Sequence, residues 1–153
     1  MKRLYIPMAI AVLAIWAAAV LLGKGSLSWF FDLPSLVLVL FPAFFLSLGV
    51  FGFREIGRAF SVGFRKEGAV EADLRKALVF FEALPQYLIL SGLLGTLLGV
   101  MTMMRWIDDL RSMGSGMALA LLTVVYSLIL TMVLVVPFRS GIRRKLAEAG
   151  KAG

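Results

Sequence analysis

The chain has 153 residues, of which 61% are hydrophobic, with a mean hydropathy of +0.95 and a net charge of +7. A soluble domain sits nearer half apolar, so this composition excludes an ordinary water-soluble globule and points to a membrane protein. Cys and His are both absent, which excludes disulfides, thiol chemistry, imidazole acid–base work and the usual zinc sites; no metal, cofactor or enzymatic activity is expected.

A helix needs about 20 residues to cross the hydrocarbon. Four uncharged runs meet that length, at 5–23, 33–52, 84–104 and 117–138, and together they leave no room for a soluble catalytic domain. The expected fold is therefore a single all-α membrane domain, 1–153, with four transmembrane helices.

Met1-Lys2-Arg3 ahead of the first run resembles a signal peptide, but the run is long for one. No clean small-x-small cleavage site precedes Lys24, so an uncleaved anchor is expected. Pro7 falls in the first turn of that helix, where a missing N–H costs least. The loop 24–32 carries Trp29, Phe30 and Phe31, an interfacial aromatic cluster. Asp32-Leu33-Pro34-Ser35 opens the second run with a capping residue and a first-turn proline, Pro34, and Pro42 predicts a kink in mid-span.

The excursion 53–83 mixes basic and acidic residues. Phe53, Ile56, Phe60 and Phe64 recur at helical spacing, Gly68 predicts a break, and Leu74, Leu78 and Phe81 support a second helix from about Glu71. It is too short for an independent domain. The loop 105–116, with Asp108, Asp109 and Gly114-Ser115-Gly116, lacks the Lys-Ser/Thr of a phosphate loop and is expected to be a flexible turn. The proline Pro137 closes the fourth run, ahead of a basic tail, 139–153.

Charge distribution orients these spans. Lys2, Arg3, the six basic residues of the excursion, and Arg139, Arg143, Arg144, Lys145 and Lys151 share one side of a four-span topology; Lys24, Arg105 and Arg111 occupy the other. This bias places both termini in the cytoplasm. It makes anionic lipid, rather than nucleic acid, the partner of the basic surface.

Two stripes carry the functional signal. Gly92, Gly95, Thr96, Gly99, Thr102 and Met103 share one face of the third span, and glycine there permits close helix approach in lipid. Ala120, Thr123, Ser127 and Thr131 recur on one face of the fourth, where each hydroxyl either bonds its own backbone or faces a wet seam. The stripes are consistent with intramolecular packing, a shared pore lining or a groove for a partner helix. No span holds Asp, Glu, Lys, Arg or His. A proton relay needs a titratable group at membrane depth, so any such group must come in trans.

The segments Leu93-Leu94-Gly95-Thr96-Leu97-Leu98-Gly99-Val100 and Gly114 to Ser127, ending in Pro137-Phe138, resemble the MotA/TolQ/ExbB stator and proton-channel family. Asp32-Leu33-Pro34-Ser35 with the following run is similar to the second span of its four-span MotA branch. Two departures stand out: the short excursion occupies the place of a large rotor-contacting region, and Val124 stands where the family carries a threonine, with Thr123 one position earlier. Pro85, eleven residues before Thr96, is not equated with the family's proline.

The resemblance implies a homopentamer in a bacterial inner membrane, surrounding a dimer of single-span ExbD/MotB-like partners. Each partner would carry the ion-binding aspartate, and the complex would couple H⁺ or Na⁺ flow to work on envelope components. Thr96 and Thr123 would then offer hydroxyls near the partner carboxylate. Ala120, Ser127 and Thr131 would widen and wet the seam, and Gly92, Gly95 and Gly99 would set the close approach. A non-conducting scaffold and a small self-contained transporter are the alternative classes.

Overall fold

The computed structural model describes residues 31–64, 70–105 and 107–150, together with Ile10, Ala11, Leu13, Ala14, Ala17 and Ala18. Those six positions are helical. The rest of the first run, Trp29, Phe30, the Gly68 break, Trp106 and Lys151 lie outside the described residues. Among the described residues the fold is all-α. Helix α1 is Leu33–Phe64, α2 is Glu71–Arg105 and α3 is Leu110–Leu130, continued by a π-helical turn, Thr131–Val135, into α4, Val136–Ala149. Among the described residues three helices are long and apolar enough to cross a membrane: α1, α2, and the continuous rod Leu110–Ala149.

Buried positions in α2 fall at Leu74, Ala77, Phe80, Phe81, Leu84, Leu88, Ser91, Gly92, Gly95 and Gly99. Three- and four-residue steps, widened by the adjacent pairs Phe80-Phe81 and Ser91-Gly92, keep a single seam facing the neighbouring helices. In the lower half the seam is aromatic: Phe60, Phe80, Phe81 and Phe138 meet ring to ring at 5.1–5.8 Å, Phe81 and Phe138 stacked at 11° and the others tilted or edge-on. In the upper half it is glycine against small polar residues. Outward faces carry Leu93, Leu97, Met101, Leu121 and Met132, all exposed, as suits helices surrounded by hydrocarbon.

The backbone departs from expectation in three places. Pro42 lies inside α1, and a break not expected from the sequence falls at Gly52, whose φ of 72° and ψ of 160° are nearly closed to any residue with a Cβ. Alanine at Gly52 is expected to cost about 2 kcal/mol although its surroundings are open, which thermal unfolding of the solubilised protein would measure.

The loop after α2 is short, because α3 starts at Leu110 and takes Gly114-Ser115-Gly116 into its first turns. Asp109 supplies the cap, accepting from the Arg111 N–H at 3.1 Å and from the Ser112 hydroxyl. The Ser112 hydroxyl and then the Arg111 N–H hold its carboxyl below the usual aspartate range.

The third departure is in the tail. Expected as a basic extension, it is the helix α4 as far as Ala149, and its described cations contact protein groups. Arg139 and Arg143 reach Glu82 at 3.5 and 2.6 Å, Arg144 reaches Glu148 at 3.4 Å, and the Lys145 ammonium donates to the Val62 and Gly63 carbonyls.

Candidate functional site

The glycine stripe of α2 and the small-residue stripe of α3 face each other within one chain. A Cβ on Gly92 would lie 2.5 Å from Ser127 Oγ, and one on Gly95 would lie 2.6 Å from Thr123 Cγ2. At Gly99 it would meet the Ala120 nitrogen at 2.6 Å and the Gly116 carbonyl at 2.7 Å. Ser127, Thr123, Ala120 and Gly116 therefore occupy the space that three missing side chains leave. Ala120, Thr123 and Ser127 are buried in consequence, while Thr96 and Thr131 are half-exposed.

Most hydroxyls in this seam satisfy their own helix. Thr123 Oγ1 donates to the Ala120 carbonyl at 3.0 Å, Ser127 Oγ to Val124 at 2.8 Å and Thr131 Oγ1 to Ser127 at 2.7 Å. Thr96 alone crosses the seam. Its Oγ1 lies 2.9 Å from the Gly92 carbonyl on its own helix, 3.1 Å from the Ala120 carbonyl on α3 and 3.5 Å from Thr123 Oγ1. One hydroxyl proton serves three oxygen neighbours, so the group can reorient without losing a partner and keeps lone pairs to offer. Oxygens of this kind solvate a cation or donate to a carboxylate; they do not titrate.

Thr131 opens the π-turn. Pro137, second in α4, has no N–H for the Val133 carbonyl, and the Val136 N–H bonds instead to Thr131, five residues back. Pro34 lies exposed in the first turn of α1. That turn is anchored by Asp32, whose carboxylate accepts from the Ser35 N–H at 2.9 Å and from the Ser35 hydroxyl. The Asp32 N–H in turn donates to the Tyr126 hydroxyl at 3.0 Å, fastening α1 to α3.

Gly116 extends the α3 stripe one turn beyond the one expected from sequence, to face Met103 of the α2 stripe: a Cβ on Gly116 would lie 2.8 Å from Met103 Cγ. The signal was present, since Gly116, Ala120, Thr123 and Ser127 recur at i, i+4, i+7 and i+11, but assigning Gly114-Ser115-Gly116 to a loop cut the pattern short. The tie between Tyr126 and Asp32 has no periodic signature, because it joins residues 94 apart.

The model of the MotA/TolQ/ExbB proton channel family matches residues 64–151, a stretch that holds all of α2, α3, the π-turn and α4. No curated protein matches the chain.

Proposed function

Because the chain belongs to the MotA/TolQ/ExbB proton channel family, we propose that it is the multi-pass ring subunit of an ion-driven stator. It would be a homopentamer in the bacterial inner membrane, with four spans and both termini cytoplasmic. A dimer of single-span ExbD/MotB-like partners would pass through its centre. Each partner's aspartate would carry H⁺ or Na⁺, and the complex would turn ion flow into work on periplasmic or envelope components. One charge crossing the membrane releases about 2.3 kcal/mol per 100 mV. No resident cofactor is needed for this.

The observation that carries the reading is Thr96. It is the hydroxyl that bridges the two helices, it is half-exposed, and it sits in a stretch of α2 and α3 without a charge between Ala83 and Met104 or between Ser112 and Phe138. Such a seam can line an ion's route but cannot hold its charge, which agrees with a carboxylate supplied in trans. Thr131, half-exposed on the π-turn, would extend the wetted face. Thr123, Ser127 and Ala120 would act from behind it by positioning Thr96.

A second reading has a specific observation in its favour. Ser127, Thr123 and Ala120 already fill the places opposite Gly92, Gly95 and Gly99, so the stripes could do no more than pack a non-conducting scaffold. Native mass spectrometry of the gently solubilised complex separates the two. A five-fold ring with a bound single-span subunit is expected; a monomer or dimer without one would sink the stator reading.

A further inference from the structure

Each of the three long helices described has a backbone weakness at a common level, while Pro42 of α1 lies above it. α1 breaks at Gly52, and α2 contains Pro85, which leaves the Phe81 carbonyl without its helical donor. The third rod holds the π-turn Thr131–Val135 with Pro137 just beyond. A single groove of about 170 Å³ touches all three: its walls include Ser47 and Ile56 on either side of Gly52, Leu84 and Leu88 on either side of Pro85, and Leu130 and Leu134 across the start of the π-turn, and it continues up α1 past Pro42 to Leu40. Kinks of sharp angle are almost always found at such features, and π-turns frequently sit at functional sites.

Below that level the three segments are bound to one another. The last turn of α1 has no basic residue of its own; Lys145 of α4 supplies the cation, 3.0 Å from the Val62 carbonyl and 3.3 Å from that of Gly63. The ring of Phe138 fills the notch at Gly63, where a Cβ would lie 2.5 Å from it, and contacts the Phe64 ring at 5.0 Å. Glu82 of α2 holds Arg139 and Arg143 of α4.

We propose that residues 53–64, 71–84 and 136–149 form one body that swings about a joint plane at Gly52, Pro85 and the π-turn, relative to the glycine seam above it. Any displacement of α3 at the seam then reaches α1 and α2 together, through the clasp made by Lys145 and Phe138. The proposal concerns motion within the chain and does not depend on whether the seam conducts.

The chain has no cysteine, so spin labels can be placed without background. Pairs at Leu46 and Ser61 span Gly52, pairs at Leu121 and Ala147 span the π-turn, and a pair at Ser61 and Ala147 lies within the lower body; all four positions are exposed. Double electron–electron resonance is measured in bilayers, with labelled chains diluted by unlabelled ones. The two pairs across the plane should give broad or two-peaked distance distributions and the pair within the body a narrow one. Pro85→Ala, which restores a main-chain donor to α2, should narrow both cross-plane distributions although neither label is on α2. Lys145→Met should broaden the pair within the body. Cross-plane distributions as narrow as the inner pair, or unaltered by Pro85→Ala, would overturn the joint.

Discussion

Alanine at Gly99 is expected to force α2 and α3 apart and to lower unfolding stability by about 3 kcal/mol, at the upper end of the usual cost of overpacking. What makes this site severe is the identity of its neighbours. The added methyl would meet the Ala120 nitrogen and the Gly116 carbonyl, both main-chain atoms of α3, and no rotamer change can move them. At Gly95 the obstacle is the Thr123 side chain, a stiff β-branched group whose hydroxyl is bonded to Ala120, so the cost there should be smaller. Gly49 and Gly114 are helical with open space around them, and alanine at either should be neutral or stabilise by up to about 1 kcal/mol. Thermal or detergent-titrated unfolding of the four variants checks the order. If Gly99→Ala were as stable as Gly114→Ala, the packing of this hairpin would be wrong.

The second large effect is on conduction. Thr96→Val keeps the shape of the side chain and removes the hydroxyl that crosses the seam. The fold should survive, losing about 1 kcal/mol, since the helical hydrogen bonds of Gly92 and Ala120 remain. Ion flux should fall more steeply. A hydrogen bond to an ionised group contributes about 1.5–3 kcal/mol, so losing it at the partner carboxylate corresponds to a loss of roughly 10- to 100-fold. Thr96→Ser, which restores the hydroxyl, should recover most of the flux. Proton-flux assays on the reconstituted complex give the answer, with native mass spectrometry to confirm assembly of each variant. Flux through Thr96→Val within about twofold of wild type would leave the scaffold reading in possession.

The aromatic and ionic contacts at the lower end bear on what the short excursion does. Among the described residues it consists of two helix extensions that meet α4, closed by Phe138, Lys145 and Glu82. The exposed Glu82 pairs add little stability by themselves. Most of the holding falls to the phenylalanine cluster and to Lys145 on the α1 carbonyls.

Periodicity and charge alone determined the class and the element order. A helix satisfies a long uncharged run in a membrane because it bonds every backbone group within its own segment, and so 33–52 and 84–104 each fall within one observed helix and 117–138 within the continuous rod Leu110–Ala149. The start of α2 at Glu71 was legible for the same local reason. The glycine and hydroxyl stripes were legible too, since residues sharing a helix face are set by spacing. Which surface they met was not. Only the tertiary structure decided that Gly92, Gly95 and Gly99 face Ser127, Thr123 and Ala120 of the same chain, that α1 breaks at Gly52, and that the basic tail turns back onto Glu82, Val62 and Gly63. Each of these depends on atoms far apart in sequence competing for one volume or one charge. A single helix carries the pattern of its own face, but not the identity of its neighbour.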